Sequence, residues 1–205
     1  MKLWTKGFET SREIERFTVG KDREMDAMMA EFDVFGSLAH IRMLQSIGLL
    51  SAAELDVLSR ELLVILDEIR EGKFEIESDV EDVHSQVELL LTRRVGEVGK
   101  KIHSGRSRND QVLLDLKLFI RSRIGDTVAA SKELFDTLIQ LSEKYKGVMM
   151  PGYTHYQVAM PSSFGLWFGC WAESLVDDLI QLQAAFAISN KNPLALQQAT
   201  ALLFR

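Results

Sequence analysis

Residues 109–146, NDQVLLDLKLFIRSRIGDTVAASKELFDTLIQLSEKYK, form the stretch of sequence that decides the fold. The stretch contains no proline and a single glycine, Gly125, and its apolar side chains recur at the spacing of one helical face. A helix of nearly forty residues is roughly 55 Å long at 1.5 Å per residue, well beyond an ordinary globular helix. Such a helix must bury its apolar face against other long helices, so the stretch predicts a helical bundle.

The residues that precede this stretch predict further helices. Apolar side chains recur at helical spacing through residues 25–47, and Gly48 is the predicted end of that helix. Ser51 and Glu54 form a capping-box pattern for a second helix, which we expect to end at Gly72.

Ser78 and Glu81 repeat the capping pattern, and they predict a third helix that ends at about Gly96. Residues 73–78 are the one segment where a short extended piece is expected. Reliable strand alternation is found nowhere in the chain, so the predicted fold class is all-α.

Residues 162–171, SSFGLWFGCW, follow Pro161, which is predicted to open another long helix. This part is apolar on nearly every side, so we expect it to be buried all round. Gly165 and Gly169 are expected to permit close approach of a neighbouring helix. Cys170 is expected to be buried, and as the single cysteine it excludes an intrachain disulfide framework.

Two domains are predicted from this organisation. Residues 1–106 form a helical N-terminal domain, and residues 107–205 form part of a central helical bundle. The basic stretch 96–108 is the hinge between them. The net charge of −6 argues against general nucleic-acid binding, and neither an export signal nor a stretch of about 20 uncharged apolar residues is seen.

Two polar segments flank the long helix and carry the candidate chemistry. Residues 103–111 read HSGRSRNDQ, and residues 151–157 read PGYTHYQ. The guanidinium fork of arginine matches a carboxylate, and a histidine among hydrogen-bonding neighbours suits proton transfer near neutral pH. The alternatives are a solvated basic turn at a helix start and a purely structural histidine.

These two segments, together with SDVEDVHSQVE at residues 78–88, resemble the argininosuccinate lyases of the fumarase/aspartase superfamily. The resemblance implies β-elimination of argininosuccinate to arginine and fumarate, in arginine biosynthesis, by a cytoplasmic homotetramer with no cofactor and no metal. Neither nucleic acid nor membrane is an expected partner. The alternatives are another lyase of the superfamily, such as adenylosuccinate lyase or fumarase, and a non-enzymatic helical scaffold.

The resemblance also implies roles for individual residues. His155 matches the catalytic histidine of the family, and Thr18 is a loose match to an N-terminal substrate-binding serine. The expected substrate-binding residues, which come from three separate segments of the chain, are Asn109, Thr154, Arg108, Gln157, Ser107 and His84. For His84 the alternative is a histidine that is satisfied inside a helix.

The chain departs from the family pattern after Leu194. There we expect Gly-Ser-Ala-Ala-Gly-Tyr-Gly-Ser-Ser-Phe-Pro-Leu, and the chain reads ALQQATALLFR. Deleting one G from a suitable set of codons for the expected stretch produces all eleven residues and then a stop. The sequence therefore predicts a lyase truncated by a frameshift, which lacks the third signature loop of the family and is inactive alone. The alternative is a divergent natural tail.

Overall fold

The structure is a computed structural model that describes Phe17 and residues 20–193. The predicted all-α class is confirmed, because helices make up most of the described residues. A 3₁₀ turn, Lys101–His103, precedes the longest helix, and one β-hairpin follows it. The helices are α1 Asp22–Ala27, α2 Ala30–Ser46, α3 Ala52–Arg70, α4 Val83–Val95, α5 Glu97–Lys100, α6 Arg108–Tyr145 and α7 Phe164–Ser189, and the strands are β1 Met149–Thr154 and β2 Gln157–Ser163.

The long helix is confirmed almost residue for residue, as α6 spans 38 residues without interruption. The described residues up to Phe119 form a first compact unit, and Ile120–Lys191 form a second. The chain therefore divides within α6. The predicted domains, 1–106 and 107–205, stay a prediction.

The core of the first unit lies between α2, α3 and α4, with the short elements after α4 packed against it. Each large apolar side chain that is fully buried contributes about 1.5–3 kcal/mol relative to its exposed state. The capping box that opens α3 is confirmed. The Glu54 N–H donates to Ser51 Oγ over 3.2 Å, and the Ser51 N–H donates to Glu54 Oε2 over 2.8 Å. The largest fully buried side chains include Ile41, Leu44, Leu58, Leu62, Ile65 and Leu91.

Two details of the predicted helices in this unit are wrong. The helix expected over 25–47 is divided into α1 and α2 by a turn at Met28 and Met29. The predicted cap at Ser78 is replaced by Asp82, whose Oδ1 accepts the Ser85 N–H over 2.9 Å. The reason is a turn in the chain just before α4, closed by the Val80 N–H bond to the Glu77 carbonyl. Residues 73–78, where an extended piece was expected, form neither helix nor strand, and the last of them lies in a turn.

The hairpin of the second unit was not predicted. Strands β1 and β2 pair antiparallel, with Pro151 opposite Pro161 and Thr154 opposite Gln157. Pro161 therefore lies in a strand and does not open a helix. Ser163 is the N-cap of α7, and its Oγ accepts the Leu166 N–H over 3.1 Å. Prolines cannot donate to a strand ladder, so a segment that contains one gives a weak strand signal in the sequence.

Helices α6 and α7 approach each other closely at Gly165. A Cβ added there would lie 2.6 Å from Lys146 Cα and 2.8 Å from the Ser142 carbonyl oxygen. A Cβ at Gly169 would meet only Ser142 Oγ, at an ordinary 3.6 Å. The prediction of close approach is thus confirmed for Gly165 alone.

The start of α7 is partly exposed in the single chain, so the expectation that it is buried on all sides, with cover from other chains, stays a prediction. Leu166 is 68% exposed, Trp171 is 51% exposed, and Cys170 is exposed as well. The reason is that α6 and the hairpin cover only part of the surface of α7. No helix among the described residues is long and apolar enough to span a membrane.

Candidate active site

The segment PGYTHYQ places its histidine at the tip of the hairpin. Thr154 and Gln157 are the last paired residues, so His155 and Tyr156 form a two-residue loop. Both have a positive φ, 48° and 62°. Two-residue hairpin loops favour positive φ angles, and Asn-Gly is the usual sequence there. Most other residues pay about 1–2 kcal/mol of conformational energy in this left-handed region, because their Cβ approaches the following carbonyl oxygen. Backbone strain of this kind is frequent at functional sites. In this loop His155 is exposed to solvent.

The segment HSGRSRNDQ forms the turn that enters α6. Gly105 has a φ of 73°, which favours glycine over any other residue. The N–H and the hydroxyl of Ser107 both donate to Asp110 Oδ2, over 2.9 and 3.2 Å, in the manner of a helix cap. Ser107 is therefore engaged at the helix start, whereas Asn109 is exposed on the first turn.

The arginines of this turn are bound by groups of the protein. Arg108 donates to Ser85 Oγ over 3.1 Å and forms an ion pair with Asp82, the N-cap of α4. Arg106 donates to Ser37 Oγ over 2.9 Å. These contacts join α6 to α2 and α4, so the interpretation of a merely solvated basic turn is wrong for these two side chains.

His84 lies in the interior, where α2, α4 and α6 each contribute a polar side chain. Its Nδ1 is 2.7 Å from Asp33 Oδ1 and 3.6 Å from Asp115 Oδ2. Gln111 Nε2 donates to the same Asp33 Oδ1 over 3.3 Å. The three titratable side chains are named here the Asp33–His84–Asp115 cluster, and their donor atoms lie within 4.8 Å of one another.

The electrostatics of this cluster shift the pKa values of its two carboxyl groups in opposite directions. Burial acts to raise the pKa of Asp33, but the hydrogen bond and charge of His84 lower that pKa overall. Burial, followed by the negative charge of Asp33, raises the pKa of Asp115 to about 8. Burial acts to lower the pKa of His84, and the hydrogen bond and charge of Asp33 raise it overall. Neighbouring titratable groups with separated pKa values are a common basis of acid–base assignments.

Sequence reasoning missed Asp33 and Asp115. A signal was present, because Asp115 interrupts the apolar run VLLDLKLFI and Asp33 stands in EFDVFG. A carboxylate on the buried side of a helix requires a partner, which makes such an interruption informative.

The seven predicted site residues fall into two groups. Asn109, Arg108, Ser107 and His84 belong to the first unit, and the hairpin residues His155, Thr154 and Gln157 belong to the second. The roles of both groups stay a prediction. Thr18 and the tail from Ala195 lie outside the described residues.

Comparison with known proteins supplies the family. The family model described as "Lyase" (Lyase_1) matches residues 7–201. Argininosuccinate lyase of Bacteroides fragilis is 65% identical over 193 residues, which is 94% of this chain and 43% of the relative. Argininosuccinate lyase of Thermotoga neapolitana is 38% identical over 94% of this chain and 48% of its own length. The chain thus spans less than half the length of these curated relatives.

Solved structures agree on the fold. A fumarate lyase:delta crystallin from Brucella melitensis has a TM-score of 0.70 at 16% identity, and it matches 92% of this chain and 46% of its own. A variant of EDDS lyase with bound fumarate has a TM-score of 0.64 at 21% identity, with 92% and 37% covered. With a family model that matches nearly the whole sequence and a helical fold shared with known lyases, the chain belongs to the lyase family Lyase_1.

Proposed function

We propose that this chain forms part of the active site of an argininosuccinate lyase, which splits argininosuccinate into arginine and fumarate by β-elimination. The observation that carries the proposal is the 65% identity over 193 residues to a curated argininosuccinate lyase. The chain covers 43% of that relative, so the active enzyme in this proposal also needs the rest of the longer protein.

His155 is the proposed acid–base residue. Beta-elimination requires removal of a weakly acidic proton beside a carboxylate and protonation of the departing nitrogen, which positioned side chains perform. The strained hairpin tip presents His155 outward between Thr154 and Gln157, and these two neighbours are proposed to bind the substrate.

The start of α6 is the proposed site for a substrate carboxylate. A helix N-terminus favours anions through its free N–H groups and its dipole, and α6 is a 38-residue helix. Asn109 is exposed on the first turn and is proposed to bind substrate directly. Arg108 and Ser107 are engaged by Asp82, Ser85 and Asp110, so their proposed contribution is to position this turn.

The proposed enzyme is a homotetramer of the cytoplasm. The second unit supports an assembly, since several large apolar side chains of the hairpin and α7 are more than half exposed in the single chain. Large apolar side chains that are exposed in numbers often mark a protein interface. These side chains are Met149, Val158, Met160, Leu166, Trp171, Ile180 and Ile188.

The experiment joins residues 1–193 to the remaining C-terminal part of the Bacteroides fragilis relative and follows fumarate release from argininosuccinate. The chimera should be active, and His155→Asn should lower its turnover by about 10²-fold or more. Asn109→Leu should mainly impair the use of substrate. Tyr156→Phe, at the same exposed loop, is the matched control and should change turnover little.

Two results would overturn the proposal. One is near-normal turnover of the His155→Asn chimera. The other is a preference of the chimera for adenylosuccinate or malate in a substrate panel, which would assign the chain to a different lyase activity.

A further inference from the structure

The Asp33–His84–Asp115 cluster is buried more completely than the other titratable groups of the described chain. The three residues are 1%, 3% and 1% exposed, and each comes from a different helix of the first unit. Asp33 Oδ2 and Asp115 Oδ2 are buried without a hydrogen-bond donor in the part of the chain that the structure describes. A buried acceptor without a donor costs about 1–3 kcal/mol, so the two oxygens require a proton, a water molecule or a cation.

The geometry favours a proton over a metal ion. Two ligands on one first-row ion, with bonds of about 2.0–2.2 Å, stand roughly 3 Å or more apart. His84 Nδ1 and Asp33 Oδ1 are 2.7 Å apart, which is the length of a direct N–H···O bond. The positive charge of Arg106 also acts on both carboxyl groups and opposes a second cation.

One proton between the carboxyl groups satisfies both. An oxygen of each carboxyl group lies within 4.8 Å of the other, and ionisation of both at this separation is unfavourable because each negative charge disfavours the other. If Asp115 is the protonated member, its O–H donates to Asp33, and Asp33 stays the anion that accepts from His84. The raised pKa of Asp115, with burial as the main cause and Asp33 next, agrees with this arrangement.

We propose that Asp33 and Asp115 are positioning residues for His84, sharing one proton so that Asp33 always accepts the Nδ1–H of the imidazole. Nδ1 then keeps its proton across the neutral range, and any proton exchange of His84 takes place at Nε2. A carboxylate on one ring nitrogen fixes the tautomer and the orientation of the ring. A role of Nε2 towards substrate rests on the proposed function, whereas the sharing of the proton does not.

Other charged groups around the cluster are named because each affects the titration. Asp26 of α1 acts on His84 and favours its charged form. Arg106 and His103, from the turn before α6, act on Asp33 and favour its anion. None of them takes the place of Asp33 as the direct partner of Nδ1.

The test is NMR of the histidine rings in the 205-residue chain, with His84 assigned through His84→Gln. Asp33→Asn and Asp115→Asn are a matched pair of isosteric variants. Asp33→Asn removes the anion and should lower the pKa of His84 by about 1–3 units. Asp115→Asn replaces a neutral acid with a neutral amide that still donates, so it should lower that pKa far less. His40 is the control histidine, because burial and the charge of Arg106 lower its pKa to about 4 and neither Asp33 nor Asp115 is among the causes, so its titration should be alike in all three proteins.

Three results would overturn the proposal. One is an equal fall in the pKa of His84 in both variants, which would mean that both carboxyl groups are charged. A second, which needs no variant, is a carboxyl ¹³C shift of wild-type Asp115 typical of an anion near pH 6, about two units above the ordinary aspartate pKa. The third is loss of the Nδ1–H resonance on addition of one equivalent of Zn²⁺, which would make the cluster a metal site. No substrate is involved, so an inactive chimera would count against the proposed function alone.

Discussion

Gly165→Ala should destabilise the second unit, where α7 lies against the end of α6. The new Cβ would stand 2.6 Å from Lys146 Cα, and the backbone cannot rotate away as a side chain can. Relief requires the helices to separate, which also weakens the bond of 2.8 Å from Ser142 Oγ to the Gly165 carbonyl. Overpacking costs about 1–3 kcal/mol, and the lost hydrogen bond costs about 1 kcal/mol. The better helix propensity of alanine returns about 1 kcal/mol, so the net loss is about 1–3 kcal/mol.

Gly169→Ala is the matched control, one helical turn further along α7. Its Cβ would make an ordinary contact of 3.6 Å, so only the propensity gain of up to about 1 kcal/mol should remain. The assay is denaturant unfolding followed by tryptophan fluorescence, because Trp167 and Trp171 both lie on α7. The variants should differ by about 2–4 kcal/mol with opposite signs. A Gly165→Ala protein as stable as Gly169→Ala would refute the close packing of the two helices.

Three other changes have defined outcomes. Tyr156→Gly should relieve the strain of the positive φ of 62° and stabilise the hairpin by about 1 kcal/mol, which raises its hydrogen-exchange protection about fivefold. Tyr156→Ala keeps a Cβ and should give no such increase. Ser163→Ala removes the N-cap of α7 and should cost about 1 kcal/mol in thermal or denaturant unfolding. Hydrogen bonds from Lys101 and Ser51 lower the pKa of Glu54 from 4.5 to about 2, so its contribution to stability is present above pH 4.5 and lost as the pH falls towards 2. Acid unfolding followed by circular dichroism should lack that component in Glu54→Gln.

The helices could be predicted where their causes are local. The length of α6 follows from an unbroken periodic pattern without proline, and the start of α3 follows from Ser51 and Glu54, which are three residues apart. The hairpin depends on pairing between segments that each contain a proline, and its loop uses His155 and Tyr156 in place of the usual Asn-Gly. Its local sequence therefore gives little indication of a turn.

The candidate site could be predicted only as a set of residue types. His84 meets Asp33 across 51 positions in the chain, and Arg108 meets Ser85 across 23. Contacts between such distant positions depend on how the helices pack, which periodicity does not specify. The sequence therefore indicated His84 but not the carboxyl groups that hold it.

The two histidines that the sequence predicted as site residues are held in opposite ways. His84 is fixed by side chains from two other helices, while His155 has a fixed backbone and a side chain that makes no hydrogen bond within the described residues. Efficient proton transfer needs a side chain whose orientation is locked by its neighbours. In the proposed enzyme we expect those neighbours of His155 to be supplied by other copies of the chain or by the remainder of the longer protein. Turnover in the chimera should therefore fall on dilution below the assembly concentration, and a specific activity independent of dilution, with monomers present by light scattering, would contradict this dependence on assembly.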